Sequence, residues 1–269
     1  MSLDVSAQAQ IDDLVRAVSA SAKYRTINED LIRQIGLREL AARRTLKEAI
    51  KATKNKLHQV ASAYFEAQPR YADWLAELAA ARDTQLREVC LRIMRHHAST
   101  RERVGILSSF YTTTLAGIGP VRAVLDVACG LNPLAIPWMP FGAEVVYAAC
   151  DIYSDMVAFL NAFFALAGIN GHAEVCNLLA APPQQEADLA LVLKVIPPLE
   201  QLEPGAGLRL LRALNAGHLL VSFPARSLGG RAKGMVEHYE QRFRALVAAE
   251  RWSIQRFEFA TELAFLVTK

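Results

Sequence analysis

The 269-residue chain lacks several patterns that would assign it to a common class of protein. It has no apolar run of the roughly 20 residues that a membrane helix requires. Its first residues, MSLDVSAQAQIDDL, also lack the basic segment and following apolar segment of a secretory signal. We therefore expect a cytoplasmic protein that does not associate with membranes.

Patterns typical of metal binding and of nucleophilic catalysis are missing as well. His96 and His97 are adjacent, so their side chains point in different directions, and no acid or histidine pair stands at metal-ligand spacing. Ser222 and Ser227 do not stand in a G-x-S-x-G nucleophile elbow. Without any C-x-x-C spacing, neither disulfides nor zinc is expected for the four cysteines, Cys90, Cys129, Cys150 and Cys176.

What the chain does have is enough apolar sequence for a full core and an uneven distribution of charge. Hydrophobic residues make up 52% and charged residues 21% of the chain. The net charge is only +3, yet residues 21–60 contain ten Lys or Arg against four acidic residues. This one-signed excess favours a polyanionic partner, and a solvated helix face is the alternative explanation.

Two halves of the chain differ in their hydrophobic pattern. Residues 1–105 are predicted to form an all-helical N-terminal domain, because their apolar residues recur at three- and four-residue spacings. One such stripe consists of Leu40, Leu46, Ile50, Leu57 and Val60. From 106 to 269 we predict an α/β domain, in which short apolar runs alternate with helical stretches after residue 120.

Seven runs in this second half have the character of strands. Helices fit between the first five, most clearly at 153–167 and 203–214, which implies parallel pairing with right-handed crossovers. The last two runs are too close for a crossover and are predicted to form a hairpin. The seven strands are expected at 122–128, 144–150, 172–176, 187–194, 217–223, 253–259 and 262–268. A doubly wound, Rossmann-like sheet with an antiparallel edge resembles the class I S-adenosylmethionine (SAM)-dependent methyltransferases.

The stretch VLDVACGLNP, residues 124–133, reads as the first strand and its loop. A dinucleotide fingerprint needs three glycines, whereas Gly130 and the small Ala128 permit one close backbone approach by a ligand without a pyrophosphate. Asp151 ends the second strand, where an acid can accept the ribose hydroxyl protons, and a helix N-cap is the alternative. Asn177 follows the third strand, where its amide oxygen can accept from an adenine amino group, and an ordinary turn asparagine is the alternative.

Several longer strings resemble one family. They are HASTRERV (97–104), VLDVACGLNP (124–133), CDI (150–152), LAAPP (179–183), ADLALVLKVIPPLE (187–200) and SFPARSLGGRAKGM (222–235). All are similar to the aminoglycoside-resistance 16S ribosomal RNA methyltransferases of the Arm/Rmt group, which methylate guanine N7 in the decoding A site. The likeness runs from about Lys23 to the C-terminus. It implies SAM as cofactor, the 30S subunit as substrate, and resistance to 4,6-disubstituted deoxystreptamine aminoglycosides.

The resemblance also implies roles for individual residues around the cofactor. Arg103 would pair with the SAM carboxylate, a bidentate task that suits a guanidinium group. Asn177 stands where close relatives carry aspartate. The asparagine keeps an acceptor oxygen but lacks the negative charge, so a modest loss of SAM affinity is predicted. The remaining implied cofactor contacts are Tyr64, His97, Ala98, Ser99, Leu178 and Leu193.

RNA contacts are implied in the helical half and in one loop. Lys23, Lys54, Lys56 and His58 match basic positions of the family's helical extension and would contact phosphates. The SLGGRAKGM loop would bring Arg231, Lys233 and Met235 to the target nucleotide. Guanine N7 carries a lone pair and no proton, so no catalytic proton-transfer residue is expected, and a monomer is the expected working unit.

Two other functions stay open at this point. The protein could methylate a different ribosomal nucleotide, for example adenine at N1. Alternatively it is a ribosome-binding protein on a methyltransferase fold that has lost activity, for which Asn177 is the one suggestive residue.

Overall fold

The computed structural model describes residues 5–60, 68–225 and 234–269. The chain begins with three mutually packed helices, α1 (Val5–Ser19), α2 (Glu29–Ala42) and α3 (Leu46–Val60), which we call the helical cluster. Asn28 caps α2, because its side-chain oxygen accepts a hydrogen bond from the Leu31 backbone N–H at 2.9 Å. A Cβ atom at Gly36 would lie 2.6 Å from Leu14 Cδ2, so glycine allows α1 and α2 to approach closely.

Four further helices precede the first strand. They are α4 (Tyr71–Ala80), α5 (Asp83–Met94), α6 (Ala98–Val104) and α7 (Leu107–Thr114). Their buried side chains, including Trp74 and Phe110, belong to the core beneath the sheet, whereas the helical cluster has a core of its own. The sequence places a boundary at residue 105, but this packing groups α4–α7 with the strands, in what we call the sheet domain.

The sheet has seven strands in the order β3-β2-β1-β4-β5-β7-β6. β1 to β5 pair in parallel, and β7 runs antiparallel to both β5 and β6. The predicted class of fold is thus confirmed, and each predicted strand is found to within two residues at either end. The strands are β1 (Ala123–Val127), β2 (Val146–Asp151), β3 (Gly171–Val175), β4 (Ala187–Leu193), β5 (Ala216–Pro224), β6 (Ser253–Glu258) and β7 (Glu262–Thr268).

The connections differ from the expectation at one place. A 3-10 helix (Asn132–Trp138) and four α-helices fill the other crossovers: α8 (Ser154–Leu166), α9 (Ile196–Leu202), α10 (Ala206–Ala213) and α11 (Met235–Leu246). The expected helix between β3 and β4 is wrong, because residues 176–186 form only a turn and extended chain. Pro182 and Pro183 supply no backbone N–H and so prevent this segment from continuing as a helix.

The helical cluster joins the sheet domain directly after β2. Ile27 forms an antiparallel bridge with Tyr153, and the Asn28 N–H donates to the Ile152 carbonyl at 2.8 Å. Arg38 on α2 donates to the Leu202 carbonyl at 3.0 Å. The helical cluster is therefore attached beside the carboxyl ends of the strands. No helix in the described ranges has the length and apolar character to cross a bilayer.

Candidate cofactor cleft and RNA-facing surface

A cleft of about 790 Å³, partly open to solvent, lies at the carboxyl ends of β1, β2 and β4. Such crevices are where open α/β sheets bind ligands. Its lining includes eight of the predicted cofactor residues: His97, Ser99, Ala128, Gly130, Asp151, Asn177, Leu178 and Leu193. The structure thus brings together side chains from widely separated parts of the sequence.

The loop after β1 is held in a conformation that L-residues rarely adopt. Ala128 has φ 47° and Gly130 has φ 54°. A Cβ atom at Gly130 would lie 2.7 Å from His97 Cε1, which is closer than such atoms can come. Glycine is therefore required by both the backbone and the neighbouring ring, and the strain at Ala128 is of the kind found at binding sites.

Asp151 presents its carboxylate at the end of β2. Oδ2 accepts from the Gly130 backbone N–H at 2.9 Å, and Oδ1 accepts from the Ile152 N–H at 2.7 Å. Burial raises the pKa of Asp151 to about 6, although these backbone donors act in the opposite direction. The Tyr153 backbone N–H also acts on this carboxylate, and since a carboxylate has about four lone-pair sites, it can still accept from a ligand hydroxyl.

Asn177 and two leucines form another part of the lining. Asn177 Oδ1 accepts from the Leu179 N–H at 3.1 Å, and Nδ2 donates to Gln34 Oε1 of α2 at 3.0 Å. Leu178 and Leu193 lie within the lining and are largely buried. One amide beside apolar walls suits a flat heteroaromatic ring that has a polar edge.

The segment 97–99 passes beneath the β1 loop. Burial, together with the nearby cations Lys194 and Arg103, lowers the pKa of His97 to about 3, so its ring is neutral at physiological pH. Ser99 lies in the lining and its hydroxyl is 3.0 Å from His97 Nδ1. Ala98 is buried and does not reach the cleft.

Arg103 lies outside the lining, in a fully buried cluster of charge. Its Nη2 donates to Glu262 Oε1 at 2.7 Å and its Nη1 to Asn132 Oδ1 at 2.7 Å. Burial alone would raise the pKa of Glu262, but the charges of Arg103 and Lys194 hold it below the usual value. The structure does not bring Arg103 into the cleft, and its pairing with the SAM carboxylate stays a prediction.

Lys194 is a residue of the cleft that the sequence did not single out. It follows β4 with φ 62°, is largely buried, and lines the cleft. Its Nζ donates to the Ser99 carbonyl at 3.0 Å and to Glu102 Oε2 at 2.7 Å, and lies 3.3 Å from Glu262 Oε2. A lysine directly after an apolar strand was the available signal, whereas its left-handed backbone could not be foreseen.

The predicted RNA-binding residues of the helical cluster largely come together. Lys23 Nζ lies 3.0 Å from His58 Nδ1, and since lysine can only donate, this nitrogen accepts. Lys54 is nearby, because its Nζ donates to Ser21 Oγ at 2.7 Å and the Tyr24 hydroxyl donates to its carbonyl. Lys56 lies half-buried on the same helix, α3.

A shallow groove beside the α2–α3 connection extends this basic surface. Arg43, Arg44 and Lys51 line it, together with Glu48 and Asn55. These residues belong to the positively charged stretch 21–60, for which the sequence predicts a polyanionic partner but no site at these positions. A groove with three cations and one acid suits a phosphate-bearing partner.

Three predicted residues cannot be placed in this way. Tyr64, Arg231 and Lys233 lie outside the described residues. Met235 is the first residue of α11 and is half-buried, directly after Gly234 with φ 74°. In the part of the chain that the structure describes, no three His, Cys, Asp or Glu side chains gather as metal ligands, and the four cysteines are free.

The lining fits S-adenosylmethionine at several points. The loop at Gly130 leaves room only for backbone, Asp151 offers a carboxylate with free lone pairs, and Leu178 and Leu193 supply apolar walls. Together with the strand order and the antiparallel β7, these features define a class I SAM-dependent methyltransferase.

Comparisons with known proteins narrow this class. Residues 20–266 match the family model described as ribosomal RNA methyltransferase (FmrO). A relative from Frankia casuarinae, named 16S rRNA (guanine(1405)-N(7))-methyltransferase, is 38% identical and the match covers 100% of this chain and 97% of the relative. A relative of the same name from Serratia marcescens is 34% identical, with 96% and 98% covered.

Solved structures agree. The 16S rRNA methyltransferase RmtF in complex with S-adenosyl-L-homocysteine superposes with a TM-score of 0.83 at 32% identity, with 100% of both chains covered. The 16S rRNA methylase RmtB gives a TM-score of 0.79 at 30% identity over 96% of this chain and 98% of its own. The chain belongs to the FmrO family of ribosomal RNA methyltransferases.

Proposed function

We propose that the protein transfers the methyl group of SAM to N7 of a guanine in the decoding A site of 16S rRNA, within the 30S subunit. This modification would confer resistance to 4,6-disubstituted deoxystreptamine aminoglycosides. The observation that carries the proposal is the agreement over the whole chain, helical cluster included, with relatives named for guanine-N7 methylation. We propose that it acts in the cytoplasm, as a monomer.

SAM supplies an activated methyl group on a sulfonium, and the chain's residues supply its position. Asp151 would hold the ribose hydroxyls, and Asn177 would accept from the adenine amino group. Gly130 lets the backbone approach the cofactor, while Leu178 and Leu193 exclude water from the ring. Holding nucleophile and donor in line accounts for much of the rate in such transfers.

The charges around the cleft suit a positively charged donor. Lys194 lines the cleft, but its ammonium group is engaged by Glu102 and Glu262. Arg103 is likewise paired with Glu262, so two cations are balanced by two carboxylates. His97 is neutral, because its pKa is about 3. The cations in and beside this part of the cleft are therefore compensated, and they repel a sulfonium only weakly.

The acceptor base requires no proton-transfer group. Guanine N7 has an in-plane lone pair and no proton, so the chain has only to present the base and to tolerate the charge it gains. In an RNA helix N7 faces a deep, narrow major groove, so the base would be presented to the cofactor by taking it out of its stack. Lys23, Lys54, Lys56 and His58 would contact phosphates, and Arg231, Lys233 and Met235 would contact the target region.

The two sets of contacts can be separated by charge reversal. The triple variant Lys54→Glu, Lys56→Glu, Lys233→Glu should bind 30S subunits at least about tenfold more weakly and show a smaller salt dependence, because phosphate contacts are lost. Its affinity for S-adenosylhomocysteine should equal that of the unmodified protein in calorimetry. The matched control is Arg122→Glu, an exposed arginine just before β1, at the amino ends of the strands and away from the cleft. Equal losses of both affinities in the triple variant would contradict the separation.

The reaction itself is tested on isolated 30S subunits and in cells. Tritium from labelled SAM should enter 16S rRNA, and aniline cleavage at the modified base should identify N7-methylguanine. Expression in a sensitive bacterium should protect against gentamicin and kanamycin and leave apramycin effective. A modified adenine, or binding without transfer, would replace this proposal with the corresponding alternative.

A further inference from the structure

The helical cluster contributes residues to the cofactor cleft itself. Leu31 of α2 and Val60 of α3 lie in its lining. Gln34, one turn after Leu31, contacts Asn177 from outside that lining. This arrangement gives α2 a direct connection to the residue that, under the proposed function, recognises the adenine amino group.

The orientation of the Asn177 amide follows from its partners. The Leu179 backbone N–H can only donate, so the atom 3.1 Å from it must be the amide oxygen. The amide nitrogen then faces Gln34, which presents its oxygen as acceptor at 3.0 Å. The Leu179 N–H therefore fixes the orientation of the Asn177 amide, and Gln34, whose own amide could present either end, supplies the acceptor that the Asn177 nitrogen needs in that orientation.

This orientation matters because asparagine, unlike aspartate, has two different ends. An adenine amino group is a donor and needs the oxygen, whereas the reversed amide would offer a second donor. An aspartate offers an oxygen in either orientation and needs no such control. We propose that Gln34 is a positioning residue. By accepting from the Asn177 amide nitrogen it stabilises the orientation in which the amide oxygen is available to adenine, so that asparagine can replace aspartate as the adenine contact.

The surroundings of Gln34 make it suitable for this role. Leu31, Gln34 and Arg38 are spaced by three and four residues, so they lie on one face of α2. Leu31 lines the cleft, and Arg38 binds the Leu202 carbonyl and the Glu203 carboxylate. The bridge of Ile27 with Tyr153 attaches the start of this helix beside Asp151. The helix is therefore held against the sheet domain on both sides of Gln34.

A matched pair of substitutions tests the orientation. Gln34→Glu can only accept and should keep the affinity for S-adenosylhomocysteine within about twofold, since the Asn177 amide stays as it is. Gln34→Lys can only donate and should turn the amide oxygen away from adenine, with a loss of about tenfold. S-adenosylhomocysteine is the probe because its uncharged sulfur removes simple repulsion at a sulfonium from the comparison.

A second ligand separates positioning from a merely structural role. S-inosylhomocysteine carries an oxygen where adenine carries the amino group, so the reversed Asn177 amide should donate a hydrogen bond to it. The unmodified protein and Gln34→Glu should bind S-adenosylhomocysteine more tightly than S-inosylhomocysteine. In Gln34→Lys the ratio of the two affinities should move toward one. A structural defect would lower both affinities equally, and an unchanged ratio in Gln34→Lys would overturn the proposal.

Rescue completes the test. In an Asn177→Asp background, Gln34→Lys should restore the affinity for S-adenosylhomocysteine, because a carboxylate has an oxygen toward both neighbours. Persistent loss in that double variant would also refute the positioning role. Leu37→Ala, at an exposed position of α2 outside the cleft lining, is the control and should leave the ratio unchanged.

Failure of the underlying adenine assignment would look different. If Asn177→Ala binds both ligands as the unmodified protein does, Asn177 is not the adenine contact and the proposed cofactor geometry fails with it. If Asn177→Ala weakens binding while Gln34→Glu and Gln34→Lys behave alike, only the role of Gln34 is refuted. Tritium transfer to 30S subunits tests the proposed reaction independently of either result.

Discussion

The sheet domain and the helical cluster use charge in opposite ways. Near the cleft, the Arg103 and Glu262 side chains are 1% and 0% exposed. In the helical cluster, the Arg16 and Asp13 side chains of a comparable pair are 78% and 55% exposed. Buried pairs constrain the geometry of what surrounds them, whereas exposed cations stay available to a polyanion. The same residue types therefore position a small ligand in one region and favour a large anionic partner in the other.

The largest effect on ligand binding is expected in the sheet domain, when the carboxylate at the end of β2 is removed. Asp151→Ala should abolish measurable binding of S-adenosylhomocysteine, because losing two charge-assisted hydrogen bonds costs about 100-fold or more. Calorimetry measures this directly. Asp155→Ala, four residues further on, is the control and should bind normally. Normal affinity in Asp151→Ala would remove the ribose assignment.

The buried charge cluster should dominate the stability of the sheet domain. Glu262→Gln leaves Arg103 and Lys194 without their shared counter-charge, and the free energy of unfolding should fall by about 3–5 kcal/mol. Urea denaturation measures the change. Glu258→Gln breaks an exposed ion pair with Arg256 within β6, the strand beside β7. The free energy of unfolding should fall by under about 1 kcal/mol. Similar losses in the two variants would mean that burial does not decide how much an ion pair contributes to stability.

Acid should weaken cofactor binding through Asp151. Burial raises the pKa of this carboxyl to about 6, and only the charged form accepts from both ribose hydroxyls. The affinity should therefore approach its full value above about pH 7, fall as the pH passes through about 6, and be about tenfold lower at pH 5. Calorimetric titration with S-adenosylhomocysteine from pH 5 to pH 8 follows this loss. Asp151→Asn retains the other titrating groups, including Asp126, so its residual affinity should lack the step near pH 6.

The smallest effect is expected where the two regions meet. Arg38→Ala removes an ion pair with Glu203 in which the two side chains are 42% and 25% exposed. Such pairs contribute little, so the free energy of unfolding should change by under about 1 kcal/mol. Thermal denaturation with calorimetric ligand binding on the same sample checks both. A loss of several kcal/mol would show that the junction depends on charge more than on its apolar and backbone contacts.

Much of the sheet domain could be predicted because its elements have local signals. The strand ADLALVL is apolar except for the exposed Asp188 near its start, as expected where both faces are buried. The close spacing of the last two runs allows only a hairpin. Segment 176–186 departed from prediction, because two prolines stop a helix that the alternation alone would suggest. The packing of α4–α7 against the sheet could not be predicted either, because an amphipathic pattern shows that a helix has a buried face but not which element covers it.

Within the site, the residues predicted most easily were those at strand ends. Gly130 and Asp151 carry signals in residue type and position, and both lie in the cleft. Lys194 and Gln34 carry weak signals, because a lysine or glutamine is usually an exposed residue. Arg103 was assigned to the ligand by its sequence motif, but in the structure it contacts Glu262 and Asn132.

The sequence by itself determined the alternation of strands and helices, the glycine turn after β1 and the excess of positive charge at the beginning of the chain. Each of these depends on neighbouring residues and so is encoded locally. Only the tertiary structure decided that α2 reaches the cleft, that Gln34 faces Asn177, and that Arg103 and Lys194 share Glu262. These contacts join residues more than 60 positions apart, and packing of the whole chain is what brings such partners together.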